Sequence, residues 1–286
     1  MAKRANLRQE QEPVTEAPTP KETGYAKFAW IYNGLTMLTF AAFFLGVFHA
    51  IPGTSPFLPS SQDFSHPLIP YPWLAVALRV IIFPCLIFGY TFLAMPMERR
   101  AKDRILRRLP PTIWLAFLAD VVAMAGGFLG YPIVSLVGLL ALLFFRYRLT
   151  VQISVFDIDQ AQAALAWGYG LDTGWLITVT VTQFFAVVLN AGVNLGTNVI
   201  PWIAIAMVVV MILLSFFWTR RSRNCALPVG VGLGLVMIFV QVLVTNQSGV
   251  LAAVLGLAAA LSFLLALVCY VGNGRRLTAR PLHTRY

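Results

Sequence analysis

Long runs of apolar residues, each broken only by a short polar interruption, set the pattern of this chain from Phe28 onward. Eight runs are legible: Phe28–Ile51, Trp73–Met95, Thr112–Gly130, Pro132–Phe145, Gly174–Gly196, Ile200–Trp218, Ala226–Val244 and Gly249–Val271. Most reach the ~20 residues that an α-helix needs to cross a hydrocarbon core of about 30 Å. The first is too long for the roughly 7–15-residue core of a signal peptide and reads as an uncleaved membrane helix. Pro132–Phe145 is short and follows its predecessor through the tight Gly130-Tyr131-Pro132 turn. Two closely joined helices are the natural reading, with a re-entrant pair as the alternative, so whether 132–145 spans fully stays open. The pattern predicts an all-α integral membrane protein, a polytopic bundle of about eight transmembrane helices.

The polar segments complete the organisation. Residues 1–27 carry Pro13, Pro18 and Pro20 among charged residues and read as a disordered tail. Residues 28–271 form the transmembrane domain, and 272–286 are a basic tail. Pro52–Pro72 is rich in proline, which forbids regular helix. The longest internal connection is Leu149–Thr173, where Asp159–Tyr169 reads as a short helix capped by Asp159, with an interfacial position plausible.

Composition agrees with the pattern. The chain is 59% hydrophobic and 11% charged, against the roughly 25% charged residues of soluble domains. A net charge of +10 in a soluble protein would suggest nucleic acid, but its distribution points to membrane topology and excludes a nucleic-acid partner. Of the 21 Lys and Arg, all but Arg79 fall in the amino-terminal tail or after the second, fourth, sixth and eighth runs. These include Arg99–Arg108, Arg146 and Arg148, Arg220–Arg223, and Arg275–Arg285. The intervening loops have none, so the positive-inside rule puts both termini in the cytoplasm, with the plasma (inner) membrane as the expected location. Trp30, Trp114, Trp175 and Trp218 then mark inner helix ends, and Trp73 and Trp202 outer ones, as an aromatic belt requires. Three cysteines cannot all pair, and no disulfide framework is expected.

Candidate chemistry is confined to the membrane. Asp120 is the one acid inside an expected span, where a carboxylate costs roughly 2.5–3.5 kcal/mol at a helix centre. At 1.5 Å per residue, Asp120 and Gln183 lie about 12–13 Å from the inner face, and Asn190, Gln241 and Arg79 at roughly 21–24 Å. Two polar tiers are thus expected, with Thr180, Gln183, Val187, Asn190 and Asn194 on one face of the fifth run. Pro84 interrupts the second run and deprives the Val80 carbonyl of its usual donor, as in helices that line transporter cavities. The bland readings are weighty. Arg79 has the length to snorkel outward, which disfavours a direct pair with Asp120, and intramembrane amides usually serve as interhelical glue. Gly126/Gly130 and Ala252/Gly256/Ala260 are ordinary small-residue packing signals, as are Gly230, Gly232 and Gly234.

No G-x-S-x-G, H-E-x-x-H, phosphate-binding loop, paired acids for magnesium or metal-spaced Cys/His cluster is present, so the reading leans away from an enzyme and implies no metal or cofactor. Two function classes remain. One is a transporter or channel for a small solute or ion, with Asp120 as coupling group and Arg79, Gln183, Asn190, Asn194 and Gln241 along the route. The other is a non-catalytic assembly or scaffold subunit that meets other membrane subunits through its tails or the 149–173 segment. In both, the lipid bilayer is the constant partner.

Overall fold

A computed structural model describes residues 22–48, 68, 70–94, 109–154, 159–190, 199–245, 248–274 and 276–278. Among them the chain is helical throughout, with no strand. The helices are α1 (Glu22–Phe48), α2 (Pro72–Ala94), α3 (Pro110–Phe128), α4 (Pro132–Ser154), α5 (Asp159–Asn190), α6 (Ile200–Ser222), α7 (Ala226–Val244) and α8 (Gly249–Gly272). Six of them, α2 and α4 through α8, are long and apolar enough to cross a membrane, which makes this a multi-pass membrane protein. The apolar part of α3, Pro111–Gly127, is shorter. Expectations for the Pro52–Pro67 loop, the Arg99–Arg108 run and most of both tails lie outside the described residues, although α1 begins at Glu22, not Phe28.

Two expected boundaries are corrected. The fourth run does not stop at Phe145 but continues as a 23-residue helix to Ser154, so it is not short. The separate short helix at 159–169 does not exist either: Asp159–Asn190 is one helix of 32 residues. Both differences have one cause: a charged residue in sequence marks the end of an apolar run, whereas in the fold Arg146 and Asp172 are paired with opposite charges within the bundle. Pro84 also does not break its helix. It lies within a continuous α2, where the missing N–H costs one backbone bond and the exposed ring faces away from the bundle.

The bundle is organised around α5. Every residue from Gly168 to Thr182 is buried, so this helix has no lipid face over four turns. It packs on α7, α2, α4 and α6, while α3 pairs with α4, α8 with α7 and α1 with α2. The outer helices instead expose Trp73, Leu118, Val137, Phe217 and Leu267, the large apolar side chains that lipid tails accommodate. Without a hydrophobic drive between helices in lipid, close approach of small residues must supply the packing. The α5–α7 crossing shows this. A Cβ on Gly174 would meet the Leu227 carbonyl, with Val231 N at 2.7 Å and Gly230 Cα at 2.8 Å. At the α3–α4 crossing Gly126 sits against the Ser135 backbone. Gly130 is no part of that contact: it has φ +72° in the turn, a conformation that suits glycine.

Candidate functional site

Four helices each bring one charged side chain to the interior of this bundle. Arg79 comes from α2, Asp120 from α3, Arg146 from α4 and Asp172 from α5. Asp172 is 1% exposed, Asp120 4% and Arg79 5%, and the Arg146 side chain 14%. Isolated at mid-membrane, four such groups would cost on the order of 10–14 kcal/mol at roughly 2.5–3.5 each, so they persist only in each other's company. The order is alternating. Arg79 Nη1 donates to Asp172 Oδ1 at 2.7 Å; Asp172 Oδ2 lies 3.2 Å from Arg146 Nε; Arg146 Nη2 lies 3.8 Å from Asp120 Oδ2. Two positive and two negative groups leave the network formally neutral.

The pairing is uneven. Asp172 is held by two guanidinium groups at hydrogen-bonding separation. Asp120 has only the looser 3.8 Å contact, and its Oδ1 has no hydrogen-bond partner among the described residues. Aromatic rings insulate the arginines. Arg79 lies 5.9 Å from the Phe43 centroid and 5.7 Å from that of Phe83, and Arg146 lies 5.3 Å from the Tyr169 centroid. Beside Arg146 the Tyr90 and Tyr169 hydroxyls bond to each other. One turn along α4, Thr150 shares a 2.8 Å hydrogen bond with Thr173, tying α4 to α5 immediately next to Asp172.

A small cleft, with a cavity volume of about 30 Å³, lies against this network. Tyr32, Leu35, Thr36 and Thr39 of α1 form one wall; Phe83 and Tyr90 of α2, Ile113, Ala116 and Phe117 of α3, Arg146 and Leu149 of α4, and Tyr169 of α5 form the rest. Ring contacts between Tyr32 and Tyr90 (5.8 Å) and between Tyr32 and Trp114 (6.4 Å) hold the α1 wall in place.

The residues singled out from sequence divide clearly. Asp120 and Arg79 belong to one chain of charges and not to two tiers, joined through Arg146 and Asp172, and Arg79 donates to Asp172. Gln183 is half-buried about 16 Å further along α5, away from the charges. Gln241 is half-buried near the end of α7, where its carbonyl accepts from the Thr245 backbone at 2.9 Å and hydroxyl at 2.7 Å. Asn190 ends α5 with its side chain undescribed, and Asn194 lies outside the described residues. Asp120 is not the only acid in a span, because Asp172 is buried within α5. In sequence Arg146 follows the fourth run and Asp172 lies in the Leu149–Thr173 connection, so neither reads as an interior charge. Among the described residues no group of three His, Cys, Asp or Glu is placed to hold a metal ion. Compared with known proteins, the chain matches no family model, no curated protein and no solved structure.

Proposed function

We propose that this chain is a transporter or channel for a small solute or ion, with Asp120 as its coupling group. One observation carries the reading: a neutral network of four buried charges borders a cleft that Arg146 lines together with Tyr32, Tyr90 and Tyr169. Simple glue would not need that cleft, and a buried ion pair is a weak source of stability when well-packed apolar side chains could replace it. Charges retained inside a membrane domain usually mark a pathway or relay. The proposal includes eight spans, with α1 and α3 crossing alongside the six long helices, and both termini in the cytoplasm of a plasma-membrane protein. In that orientation the cleft lies in the cytoplasmic half, because Tyr32, Ile113 and Tyr169 follow the starts of outward-running helices. The opposed reading, a scaffold subunit, would use the same charges only to lock helices together.

Water access separates the two. Cysteines placed singly at Thr36 and Thr39 should react with a charged, water-soluble thiol reagent applied to inside-out vesicles, and one at Gln183 should react from the opposite side. The unsubstituted chain provides the background from Cys85, Cys225 and Cys269. If none of the three positions reacts from either side, the network is structural and the transport reading is lost.

A further inference from the structure

We infer that the cleft binds a small oxyanion of the carboxylate type, taken up together with one proton that settles on Asp120. The inference rests on the transport reading above and adds to it the charge of the substrate and the source of its coupling.

The lining fixes the sign. Arg146 is the charged side chain that reaches the cleft, and no carboxylate is among the residues described there. Its guanidinium offers five N–H groups; Nε faces Asp172 Oδ2 at 3.2 Å, while Nη2 makes the looser 3.8 Å contact with Asp120. A second donor is the Tyr32 hydroxyl, which is fully buried, lines the cleft and has no partner among the described residues. A third is the tyrosine pair: whichever of Tyr90 and Tyr169 donates to the other, one O–H remains to be offered. The threonine hydroxyls do not compete as donors, since Thr36 donates to the Tyr32 carbonyl at 2.8 Å and Thr39 to that of Leu35 at 2.9 Å. Convergent donors around one guanidinium are what a planar carboxylate accepts from, through two oxygens. A cation would find the two aspartates behind Arg146.

Charge balance then demands the proton. The network is neutral as it stands, so an anion entering alone would leave a net negative charge inside the membrane, with the large desolvation cost that implies. One proton removes that debt, and the structure distinguishes where it goes. Asp172 is gripped by Arg79 at 2.7 Å and Arg146 at 3.2 Å. Among the described residues Asp120 has a single 3.8 Å ion-pair contact, and its Oδ1 has no hydrogen-bond partner. The charged groups that act on Asp120 are Arg146 from α4, Arg79 from α2 and Asp172 from α5, and α1 contributes Tyr32 to the adjoining wall. When Asp120 takes the proton on Oδ1, its carboxylate becomes a carboxylic acid and lets go of Arg146 Nη2, which turns to the incoming oxyanion. No bond within the anion is made or broken; release of anion and proton restores the original pair.

The test is binding with proton counting, on the full chain in lipid nanodiscs, with pyruvate and nitrate as probes. Trp114, whose ring stands edge-on to Tyr32 at 6.4 Å, reports occupancy through its fluorescence. An indicator dye in weakly buffered solution counts protons. The expected result is uptake of one proton per pyruvate bound, with affinity falling about tenfold per pH unit once Asp120 is ionised in the free protein. Asp120→Asn mimics the protonated carboxyl, so it should bind pyruvate with no proton uptake and no pH dependence. The double variant Asp120→Asn with Arg146→Gln keeps the network neutral, and should remain monodisperse yet bind neither probe. Binding of nitrate but not pyruvate would overturn the carboxylate assignment. Binding without proton uptake, or pH dependence that survives in Asp120→Asn, would overturn the coupling. If neither probe binds at acidic or neutral pH while Thr36→Cys is labelled from water, the anion assignment fails and transport stands; absent labelling removes transport itself.

Discussion

Asp172 is the residue on which this interior depends most, and its removal gives a number that a cycle can check. Asp172→Asn keeps volume and hydrogen-bonding capacity but deletes the negative charge that both arginines share, one at 2.7 Å and the other at 3.2 Å. The network is left with two cations and Asp120, which contacts Arg146 at 3.8 Å. An uncompensated buried charge costs about 3–5 kcal/mol, so that is the expected loss for the single substitution. Arg79→Gln leaves an excess negative charge and belongs in the same range. The double variant restores neutrality, with Arg146 and Asp120 balancing each other, and should cost clearly less than the two singles added together. The coupling term is expected near the upper end of the roughly 0.5–3 kcal/mol seen for contacting residues. Reversible unfolding in mixed lipid–detergent micelles, titrated with a denaturing detergent, measures all four corners. Additivity within about 0.5 kcal/mol would refute the premise that these charges stabilise one another directly.

Two further outcomes follow from packing and topology. Gly174→Ala should destabilise the bundle by about 1–3 kcal/mol, because its methyl would meet backbone of α7 and not a side chain that can turn aside. Gly256→Ala, whose nearest neighbour would be Phe239 at 3.7 Å, should be close to neutral in the same detergent-unfolding assay. For orientation, Arg221→Cys is the better probe than native Cys225, because Arg221 is exposed and Cys225 is buried. A membrane-impermeant thiol reagent on intact cells should miss Arg221→Cys and modify Ser61→Cys; the opposite pattern would invert the proposed topology.

The helices were legible from the sequence where hydropathy was unmistakable, and Asp120 was legible for that reason: it interrupts an otherwise uniform apolar run. Arg146 and Asp172 were hidden by the rule that served well elsewhere. A basic residue at the end of an apolar run normally marks the cytoplasmic boundary, and Arg220 and Arg221 at the end of α6 do sit exposed. Arg146 looks identical in sequence but has acids across from it in space. Asp172 lies in Tyr169-Gly170-Leu171-Asp172-Thr173-Gly174, whose glycines resemble a loop. Those glycines are small because α7 presses on the helix there, a demand that only tertiary structure expresses. One signal was available: the twelve residues from Gly170 to Val181 contain a single charged side chain, a low density for an exposed connection. The Tyr90–Tyr169 pair had no local signature, since its members are 79 residues apart.

The continuity of α5 gives it the mechanics of a lever. Its close grip runs over three turns: a Cβ on Gly168 would meet Leu86 of α2 at 2.6 Å, one on Gly170 would meet Ala226 at 2.7 Å, Gly174 is locked against Gly230, and Gly234 of α7 closes on Thr178. Beyond Thr182 the hold loosens, and Phe184 already faces outward. The segment from Thr182 to Asn190 projects about 12 Å past that grip, so a tilt of about 10° would swing its end by roughly 2 Å. Asp172 lies inside the gripped length. The far end of α5 can therefore move while the charges stay in register, with the grip and the ion pairs occupying the same three turns of helix.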